Sequence, residues 1–389
     1  MSRLADDFDR WIRGPFVALN SELEASYFAQ EDRGAVDGVG DALKTRLREE
    51  GHVHVVRLWQ EGNTGDGFAS AFGVLGNVGM YLAALRRHEL TNPARETRSP
   101  FPEASSLALD AGTSLGMAPR FATAHLTTHN QALDGRRKSF TDLADEALFI
   151  DENTRAILGF QRAADALVRV VPLGVSNPAA DTLLAAAADA MREVAATNGR
   201  LFAQLDVDRF FWCVRPYYKP YRVGRQEFRG ANAGDFAGIN EIDLLLGLCR
   251  ASDPYYAQLL ADKMPYMLPA EQKRLRDTMR HRSLLDEFLA AMDGAEAASA
   301  RANARAFLEV CRLYADTARQ HHDALVHRFI ALPSKDLPEN RMAGLTASGP
   351  PLHALLRSLE TLRDMRTAAV RDDLATRAGD LARLHGAVT

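Results

Sequence analysis

Cysteine is scarce in this chain: Cys213, Cys249 and Cys311 are the only three among 389 residues, and no two form a C-x-x-C pair. That argues against a disulfide framework, a zinc knuckle and covalent haem attachment through C-x-x-C-H. An excess of one charge is lacking as well. The formal net charge is −4, so nothing in the balance attracts a phosphate backbone, and no nucleic-acid partner is expected. No apolar run reads as approaching the roughly 20 residues of a membrane span, and no membrane partner is expected. The opening stretch MSRLADDFDRWIRGPF is acidic and amphipathic, without an apolar core segment, which argues against a secretory signal. Few cysteines and no export signal together predict a cytoplasmic protein.

Strand signals are also sparse. The clearest is HVHVVRLW, His52 to Trp59, which alternates and is β-branched but would also suit the end of a helix. Helical periodicity fills most of the rest, strongly from Thr154 onward, beginning with TRAILGFQRAADALVRVVP, which stops at Pro172. Loops are expected at KPYRVGRQEFRGANAGDFAG and PSKDLPENRMAGLTASGPP, both rich in Gly and Pro. The segment EGNTGDGFASAFGVLGNVGMYLAALRRHEL is Gly-rich but lacks the G-K-[ST] ending of a phosphate loop. Phe68, Phe72, Leu75 and Leu82 fall near helical spacing, and the glycines would permit close packing. The expectation is a mainly all-α fold: a smaller, less regular N-terminal domain over residues 1–120 and a large helical domain over 121–389.

Histidines carry the first chemical signal. TARQHHDALVHRFIALP places three in one helical stretch. Cys311, Ala315, Ala318, His322, Leu325 and Phe329 follow a 4,3,4,3,4 spacing, an inward stripe on which His322 takes the place of an apolar residue. A buried, hydrogen-bonded core histidine explains that position as readily as a ligand does. The small Ala315 and Ala318 would leave room for something flat. His321 lies at the edge of the stripe and His327 faces outward, so both are expected to be bystanders. A second pair, His125 and His129 in HLTTH, would share a helical face at i, i+4 and could chelate a metal. The polar-junction reading competes with it.

Four stretches, DRFFWCVRPYYKPY, DLLLGLC, KMPYMLPAEQKRL and TARQHHDALVHRFIALPS, together resemble the indoleamine 2,3-dioxygenase-like haem protein superfamily in order and spacing. Chain length and the divergent loops are closest to its bacterial branch, that of the pyrrolnitrin-biosynthesis enzyme. The likeness runs from about Thr154 to Arg371. It implies a haem b (iron protoporphyrin IX) oxidoreductase that acts with dioxygen or peroxide. The substrate would be a small indole or other aromatic amino-acid-derived compound carrying a carboxylate.

Residue by residue, the resemblance puts the axial iron ligand on His322, a propionate-binding arginine on Arg319, and that arginine's acidic partner on Asp243. Phe210 and Phe211 take the positions of the aromatic substrate wall, and Arg215 that of the carboxylate clamp. Ala347, Ser348 and Gly349 fall in the mobile loop over the haem. Ala156 stands where a small distal hydroxyl residue is usual, so Glu152, Asn153, Arg155, His125 and His129 become candidates for lining the distal side. The loop also carries Pro350 and Pro351, and Tyr217 and Tyr218 add phenols beside the clamp. Three rival functions follow from the same residues: a haem sensor or carrier without turnover, a non-haem metal enzyme built on His125 and His129, and a plain helical scaffold.

Overall fold

Side chains that can satisfy free N–H groups stand at several helix starts. Ser2 accepts from the Ala5 amide at 3.2 Å to open α1 (Arg3–Arg13). Asp253 does the same for Tyr256 at 2.8 Å, opening α10 (Pro254–Lys263), and Ser283 for Asp286 at 3.2 Å, opening α12 (Leu284–Met292). The computed structural model describes residues 2–62, 66–294, 297–334 and 352–389. It is mainly α-helical; the strands described are β1 (Tyr221–Val223) and β2 (Gln226–Phe228), an antiparallel pair.

The first 115 residues are more regular than their sequence suggests. After α1 come α2 (Pro15–Phe28), α3 (Asp41–Glu61), α4 (Gly67–Arg87) and α5 (Pro102–Leu115). HVHVVRLW is the second half of α3, not a strand. Leu47, Gly51, Val55 and Leu58 are buried on one side of that helix while Val53 is 45% exposed, a helical period that outweighs the local alternation.

The Gly-rich segment is α4, and its glycines serve close packing. A Cβ on Gly79 would lie 2.2 Å from the Phe121 amide nitrogen, and one on Gly76 2.3 Å from the His125 ring. Phe72, Leu75 and Leu82 are buried as expected, whereas Phe68 is exposed. The expectation of no span-length apolar run is corrected here. α4 carries no charged residue from Gly67 to Leu85 and is long and apolar enough to cross a membrane. Within the fold, 83% of its apolar window is buried, as in a core helix.

The helical hairpin of α6 (Ala144–Leu173) and α7 (Ala179–Gln204) forms the spine of the second half. The two approach closely at Gly159, where a Cβ would meet Val194 Cγ2 at 2.6 Å. α6 begins ten residues before Thr154. Glu146, in its first turn, accepts from the backbone N–H groups of Phe140 at 2.7 Å and Thr141 at 2.6 Å and fixes the entering chain. Pro172 lies inside the last turn, and the helix ends at Gly174 with φ +82°. α13 (Ala297–Gln320) packs against α7, and Leu167, Leu184, Met191, Phe288 and Phe307 lie in their common core.

Between α7 and α9 (Ala237–Leu245) the chain tightens and loosens in quick succession. A short turn, α8 (Val207–Arg209), leads into a π-helical turn at Phe210–Val214, then a 3₁₀ turn at Arg215–Tyr218 and the β1–β2 hairpin. Tyr217 and Tyr221 reach from here into the core formed by Phe8, Phe16, Tyr81 and Phe121 of the first 126 residues.

Candidate functional site

α13 changes its winding at the histidines. From His321 to Ala331 the helix is π-type, a geometry that closes i→i+5 bonds and is over-represented at functional sites. The wider turn shifts the faces that a uniform 3.6 period predicts. Tyr314, Ala315 and Thr317 are buried, Ala318 only partly, and after the change Val326 and Phe329 are the buried positions. The stripe drawn through Ala318, His322 and Leu325 is corrected accordingly.

His322 is partly buried, its side chain 21% exposed. Nδ1 lies 3.2 Å from Asp323 Oδ1 and 3.3 Å from Arg363 Nη1. These contacts exclude each other, because Asp323 needs a proton on Nδ1 and Arg363 needs a lone pair there. With Nδ1–H given to Asp323, Nε2 is free to coordinate, the arrangement common in metal-bound histidines.

His321, expected to lie at the edge of the stripe, is exposed. Its ring has accessible surface, yet desolvation, and then the Arg366 and His322 charges, push its pKa down to about 4.

Asp243 is fully buried at the centre of a polar knot. Arg366, at the end of the Leu352–Arg366 helix, donates from Nε to Oδ1 at 2.9 Å and from Nη2 to Oδ2 at 2.8 Å. The phenols of Tyr314 and Tyr256 donate to the same carboxylate at 2.6 and 2.7 Å. Asn240 joins Tyr256 at 3.0 Å and accepts from Lys263 at 2.9 Å. Burial drives Lys263 down to about 8. Burial pulls the Arg366 pKa down, but the charge and hydrogen bonds of Asp243 together with the Tyr314 and Tyr256 phenols outweigh it and hold the pKa well above the usual arginine value.

The expected Arg319–Asp243 pair does not form. Arg319 is 52% exposed and bonded to Asp316 at 2.8 Å. Asp316 in turn binds Arg312, which binds Glu309. Gln320, the next residue, donates to the Ala195 carbonyl at 3.0 Å, and this anchors the helix on α7 with Arg319 outside.

Phe210 and Phe211 point different ways from their π-turn. The Phe210 ring stands 5.0 Å from that of Phe149 and at 90°, 6.0 Å, from that of Phe329 on the histidine helix, in an apolar cluster that takes in Leu325. Phe211 is buried beneath the Arg215 guanidinium, which lies 5.4 Å from its ring centre. Arg215 is 6% exposed, its guanidinium has no hydrogen bond or ion pair among the described residues, and its pKa is pushed down to about 10 by desolvation alone. Tyr217 is buried on Phe140 and faces the N-terminal core, and Tyr218 packs against Phe149.

Other candidates are placed elsewhere. Ala156 sits in the main helical core with Phe160, Cys311 and Tyr314. Glu152 is buried but held by Arg155 and by Arg200, the latter at 3.0 Å, and Asn153 bonds its own helix at Phe149. Arg155 borders an outer cleft of about 600 Å³ between α6 and α7 that also takes in Arg162 and Arg200. Ala347, Ser348, Gly349, Pro350 and Pro351 lie outside the described residues.

His125 and His129 do not form a chelating pair. His125 ends a 3₁₀ turn and stacks on Phe72 at 3.7 Å; its Nδ1 accepts from the Ala122 amide and its Nε2–H donates to the Phe72 carbonyl, each at 2.8 Å. Both nitrogens are therefore occupied. His129 is exposed. Among the described residues no group of three or more His, Cys, Asp or Glu side chains could hold a metal ion.

The residues around His322 fit a haem by donor chemistry. An imidazole with Nε2 unengaged among the described residues touches Arg363, and Arg366 follows one turn on along the same helix; both are cations suited to a dianionic porphyrin. An aromatic cluster with an unpaired guanidinium stands nearby on the π-turn. Arg363, Arg366, Tyr256 and Tyr314 escaped the sequence reading; only the spacing of Tyr314 seven residues before His321, two turns of helix, pointed to any of them.

The family model described as monodechloroaminopyrrolnitrin synthase PrnB matches residues 2–388 of the 389. Its members are haem-dependent oxidative enzymes, which sets aside the carrier and scaffold readings. The chain belongs to the monodechloroaminopyrrolnitrin synthase PrnB family.

Proposed function

We propose that this enzyme is a haem b oxygenase acting on an indole-bearing amino acid or a close aromatic derivative, with dioxygen as oxidant and His322 as the residue that would hold the haem iron. One observation carries the substrate class. Arg215 is a buried cation with no anionic partner among the described residues, laid over the ring of Phe211. Burying a lone charge is costly, so such a group is best explained by a ligand that neutralises it. A carboxylate offers two oxygens to the guanidinium fork, and the adjacent Phe211 offers a ring face for an aromatic side chain.

Bound haem would supply the iron at which dioxygen is activated. The chain's own residues do the rest. Asp323 would accept a hydrogen bond from the Nδ1–H of His322, leaving Nε2 unprotonated for the metal and raising its basicity. Arg215 would fix the substrate by its carboxylate, and Phe210, Phe149 and Phe329 would keep water from the reacting face. Product mass separates ring-cleaving dioxygenation from a rearranging oxidation, because dioxygenation adds both oxygen atoms.

The test is the visible spectrum of protein expressed with ample haem, ferric and then reduced under carbon monoxide. The expected result is a Soret band with a carbon monoxide adduct typical of histidine ligation, lost in His322→Ala. A His322→Ala protein with an unchanged spectrum would overturn the ligand assignment.

A further inference from the structure

Resting on the haem reading above, we infer that the anion-binding arginine of this site is Arg366, held by Asp243 from the Leu352–Arg366 helix, and that Arg319 takes no part. A guanidinium has five N–H donors. Asp243 engages Nε and one Nη2 hydrogen of Arg366, and the two on Nη1 have no partner among the described residues. The Arg366 side chain is 12% exposed, so it is desolvated but not sealed.

The same helix brings a second cation. Arg363, one turn before Arg366 and so on the same face, places Nη1 3.3 Å from His322 Nδ1. Lys263 adds a third positive group through Asn240 and Tyr256. Lys263 and Arg366 thus meet at the Asp243 knot, while Arg363, itself paired with Asp364 and Glu360, reaches His322.

Asp243 is the reason Arg366 can serve. The carboxylate accepts two bonds from Arg366 and one from each of two phenols, which fixes the plane of the fork and leaves its free edge directed away from Asp243. A porphyrin carboxylate would complete that edge by charge-assisted bonds. Arg319 has the opposite setting. It is half exposed and already belongs to the surface chain Asp316–Arg312–Glu309, where a further anion would gain little.

Comparing haemin with haemin dimethyl ester tests the assignment, because the two porphyrins differ only in whether the propionates are charged. Each is titrated into the full-length apoprotein, and the ratio of the two Kd values is read from the Soret band. Wild-type protein should prefer haemin by tenfold or more. Arg366→Gln should cut that preference to within about threefold of unity, and Arg319→Gln should leave it as in the wild type.

Arg366→Gln strands a buried carboxylate and could fail to fold. The double variant Arg366→Gln/Asp243→Asn removes both charges together and should show the same collapsed ratio. A merely structural role would weaken both porphyrins equally and keep the ratio. A retained ratio in the Arg366 variants, a collapse in Arg319→Gln, or a wild-type protein indifferent to esterification would each overturn the proposal. A wild-type protein that binds neither porphyrin would instead sink the haem reading itself, visibly, by the absence of any Soret band.

Discussion

Arg87 of α4 donates from Nη2 to the carbonyl of Trp212, 3.0 Å away in the middle of the Phe210–Val214 π-turn, while it clasps both oxygens of Glu24 at 2.7 Å. Arginine and glutamate are both essentially inaccessible, at 3% and 0% exposure. The N-terminal helices therefore hold, from behind, the turn that sets the directions of Phe210, Phe211 and Arg215. Trp212 is braced from the same side, for a Cβ on Gly34 would come within 3.2 Å of its ring.

Glu24→Gln should be costly. It leaves the Arg87 charge buried without its counter-ion, a loss of ~3–5 kcal/mol by analogy with broken buried pairs. Denaturant unfolding should show the midpoint fall accordingly. Breaking the exposed Arg192–Asp189 pair by Asp189→Asn should cost less than about 1 kcal/mol. Equal losses in the two variants would mean that the buried pair is no anchor.

Gly79→Ala tests the close packing of α4. On helix propensity alone the change would stabilise by up to about 1 kcal/mol. The added methyl, however, would stand 2.2 Å from the backbone nitrogen of Phe121, and backbone cannot rotate aside. The steric term should win, with a net loss of ~1–3 kcal/mol read from thermal unfolding. A raised Tm would show that the helix and the Phe121 segment are less tightly set than their geometry indicates.

These two cases also show what the sequence could convey. Helix was legible wherever apolar residues kept a 3.6 period, as in α7 and α13, and the close-packing role of the α4 glycines was legible from Phe72, Leu75 and Leu82. HVHVVRLW misled because five alternating residues cannot outvote a 21-residue helix that began at Asp41. The histidine stripe was drawn correctly for an α-helix, but nothing in HHDALVHRFIA announces a π wind, since that depends on tertiary packing. Asp243 was picked as an acidic partner, whereas its arginine was misplaced. The true one lies 123 residues on, and only the fold brings them together.

Glu146 should give stability a pH slope that a neutral variant lacks. Burial raises its pKa from 4.5 to about 7, against the lowering effect of its bonds from Thr141 and Phe140. Between those values the folded chain holds a proton that the unfolded chain has released. This group's contribution therefore falls as pH rises from about 4.5 to about 7, at ~1.4 kcal/mol per unit, and is flat above that. Glu146→Gln keeps one acceptor and loses the titration. Measured by denaturant unfolding at pH 5, 6, 7 and 8, the variant should gain on wild type as pH rises to 7 and then run parallel to it. Parallel curves over the whole range would show that the carboxyl titrates alike in both states.

Arg215→Met separates function from stability most sharply, because the two should move in opposite directions. If the guanidinium awaits a substrate carboxylate, the ligand-free protein carries the cost of a buried and unpaired cation. Methionine fills similar space over Phe211 and favours aromatic neighbours, so the variant should match or exceed the wild-type stability, by up to ~2 kcal/mol. Its affinity for tryptophan, followed as a change in the Soret band of the haem-loaded protein, should fall by tenfold or more. Indole, which has no carboxylate, should bind both proteins alike. A variant that is destabilised and still binds tryptophan as the wild type does would mark Arg215 as a structural cation, with the substrate carboxylate held elsewhere.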